Sequence, residues 1–296
     1  MIDIFILTED RYIDPPILTP YIAQILEEEQ ILAEELKNYR LSSQRVSWSD
    51  PQVNWESAKA AIFRTTWDYF DRFSEFKEWL QGVNSKLRLL NSFELIELNL
   101  NKKYLFNLEK QGLPIVPGIF LNQGDRRTLE EHLSDVPWKE FVLKPAVSGA
   151  GRHTYRFKDA EEIETIFNEL IHEEDLILQE FQEQIISFGE ISLILIGGNF
   201  SHAVLKMARA GEFRVQDDFG GSLHPFIAGE EEIKMAEQAI HYLPEIPLYA
   251  RVDMVKTNGN NWAISELEMI EPELWFRFHR PAAQKLASLI RDKIGV

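Results

Sequence analysis

The sequence contains no cysteine among its 296 residues. Disulfide bonds, thiolate nucleophiles and cysteine-ligated metal sites are therefore excluded. Long apolar segments are also missing, because nowhere do about 18 apolar residues follow one another, the length that a membrane helix requires. Residues 1–7 form a short apolar run without a basic flank. We therefore expect no signal peptide, no membrane association and a cytoplasmic location.

Positive charge is scarce as well. The chain has 31 lysines and arginines against 48 aspartates and glutamates, which gives a formal net charge of -17. Such a field disfavours nonspecific binding to a phosphate backbone, so we expect no nucleic-acid partner. A bound anion would need a local cluster of basic side chains and a divalent cation. With 45% hydrophobic residues, the chain can fill the cores of two or three packed subdomains.

A predicted hairpin near the C-terminus gathers three carboxylates. Residues 251–255 and 262–268 have the composition of two strands joined by a tight turn. Alternation of side chains places Glu266 and Glu268 on one face, and Asp253 lies opposite them if the strands pair in register. Oxygen ligands of this kind hold hard divalent cations. The pattern predicts a metal and nucleotide site, with a solvated acidic hairpin as the alternative.

A second pattern upstream is suited to phosphate binding. Residues 140–143 predict a short apolar strand that delivers Lys144 to a loop containing Ser148, Gly149 and Gly151. Glycines let backbone N–H groups approach an anion closely, and the ammonium group neutralises its charge. A glycine turn beside a surface lysine is common, so this pattern indicates a phosphate site only in combination with the segments that follow it. A strand, a Gly-Glu pair and the acidic hairpin follow it along the chain.

Strands and helices alternate along the sequence, which predicts layered α/β structure. Thr19 and Pro20 suit the cap and first turn of an amphipathic helix that extends to about residue 37. Two glycines at 197–198 predict a hairpin between residues 191–195 and 202–205. Further helices are expected at residues 72–80, 94–110 and 160–172 and from Pro281 onward, with a strand at 60–64.

Taken in this order, the segments resemble the ATP-grasp superfamily, in particular the glutathione-synthetase-like carboxylate-amine ligases. The resemblance runs from about residue 99 to residue 271. A bacterial branch that includes the cyclo-ligase of cycloserine biosynthesis is similar at residues 64–69, 99–105, 213–216 and 220–221. The resemblance implies an α/β (α+β) ATP-grasp fold with an N-terminal substrate domain (1–97), a central lid subdomain (98–178) and a catalytic subdomain (179–296).

Matching of motifs also assigns the nucleotide-binding residues. In the family, two lysines reach the ATP phosphates, a small-residue loop closes over them, a hinge holds adenine and a carboxylate accepts hydrogen bonds from ribose. The residues implied here are Lys102, Lys144, Ser148, Gly149 and Gly151 for the phosphates, Gln179, Glu180 and Phe181 for adenine, and Glu190 for ribose. Without the resemblance, the hinge segment would be read simply as the end of a strand.

Asp253, Glu266 and Glu268 match the magnesium ligands of the family. Many members carry asparagine at the position of Glu268, and a carboxylate there should strengthen cation binding. We expect Mg²⁺, with Mn²⁺ as an alternative cation. Glu271 follows closely and is either a substrate contact, a neighbour of the metal ligands or a structural residue.

Lys206 and Arg214 lie in the segment where family members stabilise the transferred phosphate and the oxyanion of the tetrahedral intermediate, and we expect Arg251 to join them from the neighbouring strand. Positive groups favour the charge that develops there. The alternative for each is an ordinary surface ion pair. Arg64 and Asp68 are our candidates for substrate selection. Four aromatic residues either line a pocket or fill a core, namely Trp67, Tyr69, Trp275 and Phe276.

These inferences predict an ATP- and Mg²⁺-dependent ligase that activates a small-molecule carboxylate as an acylphosphate for attack by an amine-type nitrogen. The alternatives are a small-molecule kinase on the same fold and a non-catalytic ATP-binding module. Family precedent also suggests a homo-oligomer. Neither substrate is identified, since ring closure within one molecule and joining of two molecules would use the same machinery.

Overall fold

The structure is a computed structural model that describes residues 1–215 and 220–295. It has three sheets and mixes parallel with antiparallel pairing, as predicted for this fold class. The strands are β1 Ile2–Thr8, β2 Ser43–Ser47, β3 Ala58–Thr65, β4 Arg88–Leu90, β5 Gly118–Leu121, β6 Phe141–Pro145, β7 Tyr155–Phe157, β8 Leu176–Glu180, β9 Glu190–Ile196, β10 Asn199–Met207, β11 Ser222–Phe226, β12 Tyr249–Lys256 and β13 Trp262–Glu268. The helices are α1 Pro20–Asn38, α2 Phe73–Asn84, α3 Phe93–Asn99, α4 Tyr104–Lys110, α5 Leu129–Ser134, α6 Glu164–Glu173, α7 Gln184–Ser187, α8 Glu230–His241 and α9 Arg280–Ile294.

The N-terminal sheet is parallel and has the strand order β2-β1-β3-β4. Helix α1 begins as predicted, because the Thr19 hydroxyl accepts a hydrogen bond from the Ile22 N–H and proline occupies the first turn. Ile25, Leu32 and Leu36 recur at helical spacing and are buried. Burial of each such side chain stabilises the fold by about 2 kcal/mol.

The central sheet is antiparallel, with the order β5-β8-β6-β7. Along β6, Phe141 and Leu143 point into a core with Phe167 of α6. Because side chains alternate along a strand, Val142 and Lys144 project from the other face. That face looks into the cavity described below.

The third sheet is antiparallel and has the order β11-β10-β9-β12-β13. The predicted hairpin of β9 and β10 turns at residues 197–198, and β12 and β13 form the acidic hairpin. Pairing in the acidic hairpin sets Asp253 opposite Glu266, as predicted. Leu267 is fully buried on the opposite side of β13, which leaves Glu266 and Glu268 on the other face.

One apolar cluster joins the N-terminal sheet to the third sheet. It contains Ile4 and Ile62 from the first sheet, Ile194 from the third, and Leu286 and Ile290 from α9. All five are buried. The two sheets therefore share a core through the C-terminal helix.

Two helix predictions need correction. Residues 94–110 form two helices, α3 and α4, because the side chain of Asn99 bonds to Leu267 and Met269 on the acidic hairpin and stops α3 there. The intervening turn brings Lys102 to the cavity. The helix predicted at 160–172 begins only at residue 164, since residues 160–162 form a separate 3₁₀ turn.

Among the described residues, no helix combines the length and apolar character needed to cross a bilayer. The boundaries at residues 97 and 178, the cytoplasmic location and the homo-oligomer stay predictions.

Candidate active site

A cavity of about 270 Å³ is lined by residues of the central and third sheets and by Tyr21, Trp67 and Phe70 of the N-terminal region. It is lined by residues from every predicted motif, although these motifs are distant in sequence. The residues predicted for nucleotide, metal and catalysis that line it are Lys102, Lys144, Ser148, Gly149, Gly151, Gln179, Glu180, Phe181, Glu190, Lys206, Arg214, Arg251, Asp253, Glu266 and Glu268.

The three carboxylates of the acidic hairpin form a compact group. One oxygen each from Asp253, Glu266 and Glu268 lies within 4.8 Å of the others. Asp253 is only 1% exposed and also accepts a hydrogen bond from the Ser192 hydroxyl. Because three hard oxygen donors converge at one point, the group fits a divalent cation of the magnesium type.

Two basic side chains neutralise this carboxylate group from one side. Arg251 Nη2 lies 2.9 Å from Asp253 Oδ2 and 2.6 Å from Glu268 Oε1. Lys206 Nζ lies 3.2 Å from Asp253 Oδ2 and 2.5 Å from Glu190 Oε1. Both basic residues are buried. The alternative of an ordinary surface ion pair is therefore wrong for Lys206 and Arg251.

The same basic residues determine the charge of the carboxylates. Burial alone would raise the pKa of Asp253, but the charges of Arg251 and Lys206 outweigh it and lower that pKa to about 2. For Glu268, burial dominates over the attraction of Arg251 and raises the pKa to about 7. Neighbouring carboxylates thus have opposite shifts because their ion pairs differ.

The phosphate-binding segment adjoins the carboxylate group. Lys102 Nζ lies 3.0 Å from Glu266 Oε1 and also donates to the backbone carbonyl of Ser148. Burial lowers the pKa of Lys144. Lys102 therefore links the loop to the carboxylates, and Lys144 lines the same cavity, an arrangement that suits a phosphate chain bound to a cation.

The loop after β6 is closed against the N-terminal domain. A Cβ placed on Gly149 would lie 2.5 Å from the Phe70 ring, which is closer than any side chain tolerates. Gly151 has a φ of +69°, a conformation that favours glycine. The loop thus depends on its glycines both for contact with the N-terminal domain and for its turn.

At the other end of the loop, apolar side chains form a slot. Val116, Val142, Ile185 and Val255 line it together with Phe181. Only Phe181 was predicted from the sequence. Isolated valines and isoleucines carry no signal that distinguishes a ligand contact from ordinary core packing.

The predicted hinge contributes fewer free backbone groups than expected. The N–H groups of Glu180 and Phe181 donate to Pro117 and Glu140 within the protein, each at 2.9 Å. Gln182 follows them, lines the cavity and is buried. Its N–H has no hydrogen-bond acceptor among the described residues.

Arg64 and Asp68 do not line the cavity, and their part in substrate selection stays a prediction. Arg64 is 2% exposed and its Nη2 donates to Glu28 Oε1 at 2.8 Å. Asp68 accepts from the Trp48 indole at 2.7 Å and from Arg72 at 3.0 Å. Asp68 is thus held inside the N-terminal domain, whereas Arg64 also donates to the backbone carbonyl of Pro272 in the C-terminal part of the chain.

Arg214 lines the cavity, and its Nη2 lies 2.7 Å from the Glu212 carboxylate. Gln216, which belongs to the same sequence motif, lies outside the described residues. The segment resumes at Gly220, whose φ is +79°.

Beyond the carboxylates, the cavity continues into a pocket with aromatic and acidic walls. Its residues include Tyr21, Trp67, Glu271, Glu273 and Trp275. Of the four aromatic residues for which pocket and core were the alternatives, the two tryptophans line the cavity, and Trp275 also packs in an apolar cluster. The other two aromatic residues considered, Tyr69 and Phe276, belong to apolar clusters instead.

Comparison with known proteins agrees with this architecture. Residues 4–91 match the family model for the N-terminal domain of the D-cycloserine synthetase DcsG. The cycloserine biosynthesis protein DcsG of Streptomyces lavendulae is 26% identical over 283 residues, which span 89% of this chain and 92% of that protein.

Solved structures give the same picture. The crystal structure of D-cycloserine synthetase DcsG has a TM-score of 0.85 at 23% identity and covers 98% of this chain and 99% of its own. A D-alanine–D-alanine ligase from Bacillus anthracis has a TM-score of 0.68 at 14% identity, covering 99% and 97%. The ATP-grasp ligase PsnB, solved with a precursor variant, Mg and ADP, has a TM-score of 0.65 at 13% identity, covering 99% of both chains. The predicted ATP-grasp fold is confirmed.

Proposed function

We propose that this chain is an ATP-grasp carboxylate-amine ligase like its relative DcsG, and that it converts a substrate carboxylate into an acylphosphate for attack by a nitrogen nucleophile. One observation carries the proposal. Every residue predicted for phosphate, metal and catalysis lines a single cavity, although the residues come from two sheets and from separate connecting segments. The DcsG relative acts in cycloserine biosynthesis, so the general class of activity is shared while the substrates are left open.

Adenine would occupy the apolar slot between Val142 and Val255, beside Phe181. The free N–H of Gln182 lies at the hinge and suits a ring nitrogen as acceptor. From there the phosphates would extend toward Lys102 and Lys144 under the glycine loop. This assignment places the base beside apolar residues, the phosphates beside lysines and the cation beside carboxylates.

Asp253, Glu266 and Glu268 would hold the magnesium ion. Their oxygens converge within 4.8 Å, which suits one small hard cation. When bound, the cation neutralises phosphate charge during transfer. The DcsG relative and the PsnB structure with Mg and ADP support the use of ATP and Mg²⁺ in general.

The proposed reaction has two steps. A carboxylate oxygen of the substrate attacks the terminal phosphorus of ATP, the bond to the bridging oxygen breaks, and ADP leaves. The nitrogen lone pair then attacks the acylphosphate carbonyl, phosphate departs and the nitrogen loses a proton. No covalent bond to the protein is needed, since the enzyme acts by positioning and charge neutralisation.

The basic residues have distinct tasks in this proposal. Lys206 and Arg251 already lie on the carboxylate group and would stabilise charge on the phosphate being transferred. Arg214 comes from the opposite wall and would stabilise the oxyanion of the tetrahedral intermediate. Glu190, which contacts Lys206 and Ser265, would accept hydrogen bonds from ribose.

The test is a screen of amino acids and small peptides for stimulated ADP release, followed by mass spectrometry of the product. A new C–N bond with ADP and phosphate supports the proposal. A stable phosphorylated product would indicate the kinase alternative. Nucleotide binding without turnover of any compound would indicate a binding module.

A further inference from the structure

We infer that Glu271 binds a cationic group, an alkylammonium, of the non-nucleotide substrate. Glu271 follows β13, is only 8% exposed and lines the cavity beyond the carboxylate group. Among the described residues, the one hydrogen bond to Glu271 reaches its backbone carbonyl from the Trp67 indole, and its carboxylate takes part in no hydrogen bond or ion pair. A buried carboxylate without a partner is unfavourable, so a group from outside the chain would complete it.

The other carboxylates nearby differ from Glu271 in this respect. Glu190 pairs with Lys206, Glu266 with Lys102 and Glu268 with Arg251. These pairs account for the charge of the phosphate and metal region. Glu271 therefore stands apart as a carboxyl group that the nucleotide machinery does not use.

The position of Glu271 is fixed by the N-terminal domain. Its backbone carbonyl accepts a hydrogen bond from the Trp67 indole at 2.9 Å. Arg64 donates to the carbonyl of Pro272, and the same arginine pairs with Glu28, which accepts from the Leu274 N–H at 2.8 Å. Arg64 and Trp67 are thus positioning residues for the segment that carries Glu271.

The walls of the pocket favour a cation. Trp67 and Tyr21 supply aromatic groups, which attract positive charge through their faces, whereas the Trp275 ring already lies 5.2 Å from the Arg251 guanidinium. Burial, together with the charge of Glu268, raises the pKa of Glu271 well above its usual range. A cation bound beside it would restore the ionised form, whereas a bound anion would face additional repulsion.

A nitrogen held as a cation has no free lone pair. The ammonium group bound at Glu271 therefore does not react. The substrate has this group in addition to its reacting carboxylate or nitrogen. This inference rests on the proposed function, because the pocket opens from the same cavity.

The experiment measures thermal shifts in the presence of Mg²⁺ and the non-hydrolysable analogue AMPPNP. The probes are the proteinogenic amino acids in both chiralities, each with a free or an N-acetylated amino group. We expect a subset of the free amines to raise the melting temperature and their N-acetylated forms to have no effect. In Glu271→Gln the affinity for those amines should fall at least tenfold, while the Kd of Mg·AMPPNP should change less than twofold.

Two variants serve as controls. Glu273 also lines the cavity, but its carboxylate already pairs with Arg277. Glu273→Gln should therefore change the amine affinity by less than about threefold. Glu271→Asp keeps the charge and should retain part of the affinity that Glu271→Gln loses.

The inference is overturned by any of four results. These are equal binding of N-acetylated forms, unchanged amine affinity in Glu271→Gln, an equal loss in Glu273→Gln, or no shift with any free amine. If Mg·AMPPNP fails to bind the wild-type protein, the proposed function falls as well. Normal nucleotide binding in Glu271→Gln separates the two cases and shows that this variant is folded.

Discussion

Arg251 lies directly opposite Glu268 in the β12–β13 ladder, and its Nη2 is 2.6 Å from the Glu268 carboxylate. The same nitrogen is 2.9 Å from Asp253. One guanidinium thus spans two of the three carboxylates proposed to hold the cation. A cation that binds these carboxylates competes with Arg251, so metal binding would release the guanidinium for the phosphate that is transferred.

Removal of the carboxylates should abolish metal-dependent stabilisation. In the wild type, Mg·ATP at 100 times its Kd should stabilise the fold by about 2.7 kcal/mol, and ATP with a chelator by much less. The double variant Asp253→Ala, Glu268→Ala should lose the difference between these two conditions. Thermal denaturation with and without EDTA measures it.

The matched control replaces Glu230 and Glu231, two exposed glutamates at the start of α8, with alanine. This control should keep the full metal-dependent shift. If the Asp253 and Glu268 variant kept it too, the acidic hairpin would not be the cation site.

Lys144 and Arg214 should separate nucleotide binding from chemistry. Lys144→Ala deletes a charge that faces the phosphates before and during transfer, so the Kd of Mg·ATP should rise about tenfold. Arg214→Ala should leave that Kd nearly unchanged and lower turnover by about 10²-fold or more. Titration calorimetry and ADP release measure the two quantities. An equal loss of nucleotide affinity in both variants would place Arg214 in the nucleotide site instead.

The contact between Gly149 and Phe70 should be required for loop closure. Gly149→Ala places a Cβ about 2.5 Å from the ring, so the loop must shift and turnover should fall at least tenfold. Phe70→Leu makes room, and the double variant should recover part of the loss. Steady-state kinetics of the two single variants and the double variant would show it. A double variant as slow as the product of both single effects would contradict this explanation.

Acid should destabilise the fold through His202. Its Nε2 contacts the Leu274 carbonyl at 3.0 Å, and burial together with His279 lowers its pKa to about 4. The unfolded chain, with a histidine pKa near 6.5, binds a proton first, so stability declines as the pH falls from about 6.5 toward 4. At pH 5 this one residue accounts for a loss of roughly 2 kcal/mol relative to neutral pH.

Urea unfolding at pH 5 and pH 7.5 measures this dependence. His202→Gln should show a smaller difference between the two pH values than the wild type. His241→Gln, at an exposed position on α8, should keep the wild-type difference. An unchanged difference in His202→Gln would exclude this histidine as the source.

Strand periodicity explains which parts of the site the sequence could predict. Glu266 and Glu268 share a face because side chains alternate, and a tight turn fixes Asp253 opposite them. Lys144 was predictable for a similar reason, because it ends an apolar strand before a glycine loop. Local rules suffice wherever the functional groups lie on one short segment.

Long-range contacts explain which features could not be predicted from the sequence. The partner of Arg64 at Pro272 lies 208 residues further along the chain, and no local pattern reveals that contact. The helix predicted at 94–110 breaks because Asn99 bonds to strand residues about 170 positions away. In both cases a polar side chain bonds to backbone groups that are distant in the sequence.

The apolar cluster of Ile4, Ile62, Ile194 and Leu286 limits how this enzyme can change. The N-terminal region, which positions Glu271, cannot be separated from the rest of the chain without exposing apolar surface, because its sheet and the third sheet are buried in this one cluster. Exchange of residues 1–97 with those of another ligase would expose that surface or leave it poorly matched. We therefore expect point substitutions along the pocket to alter substrate preference at a smaller loss of stability than an exchange of residues 1–97.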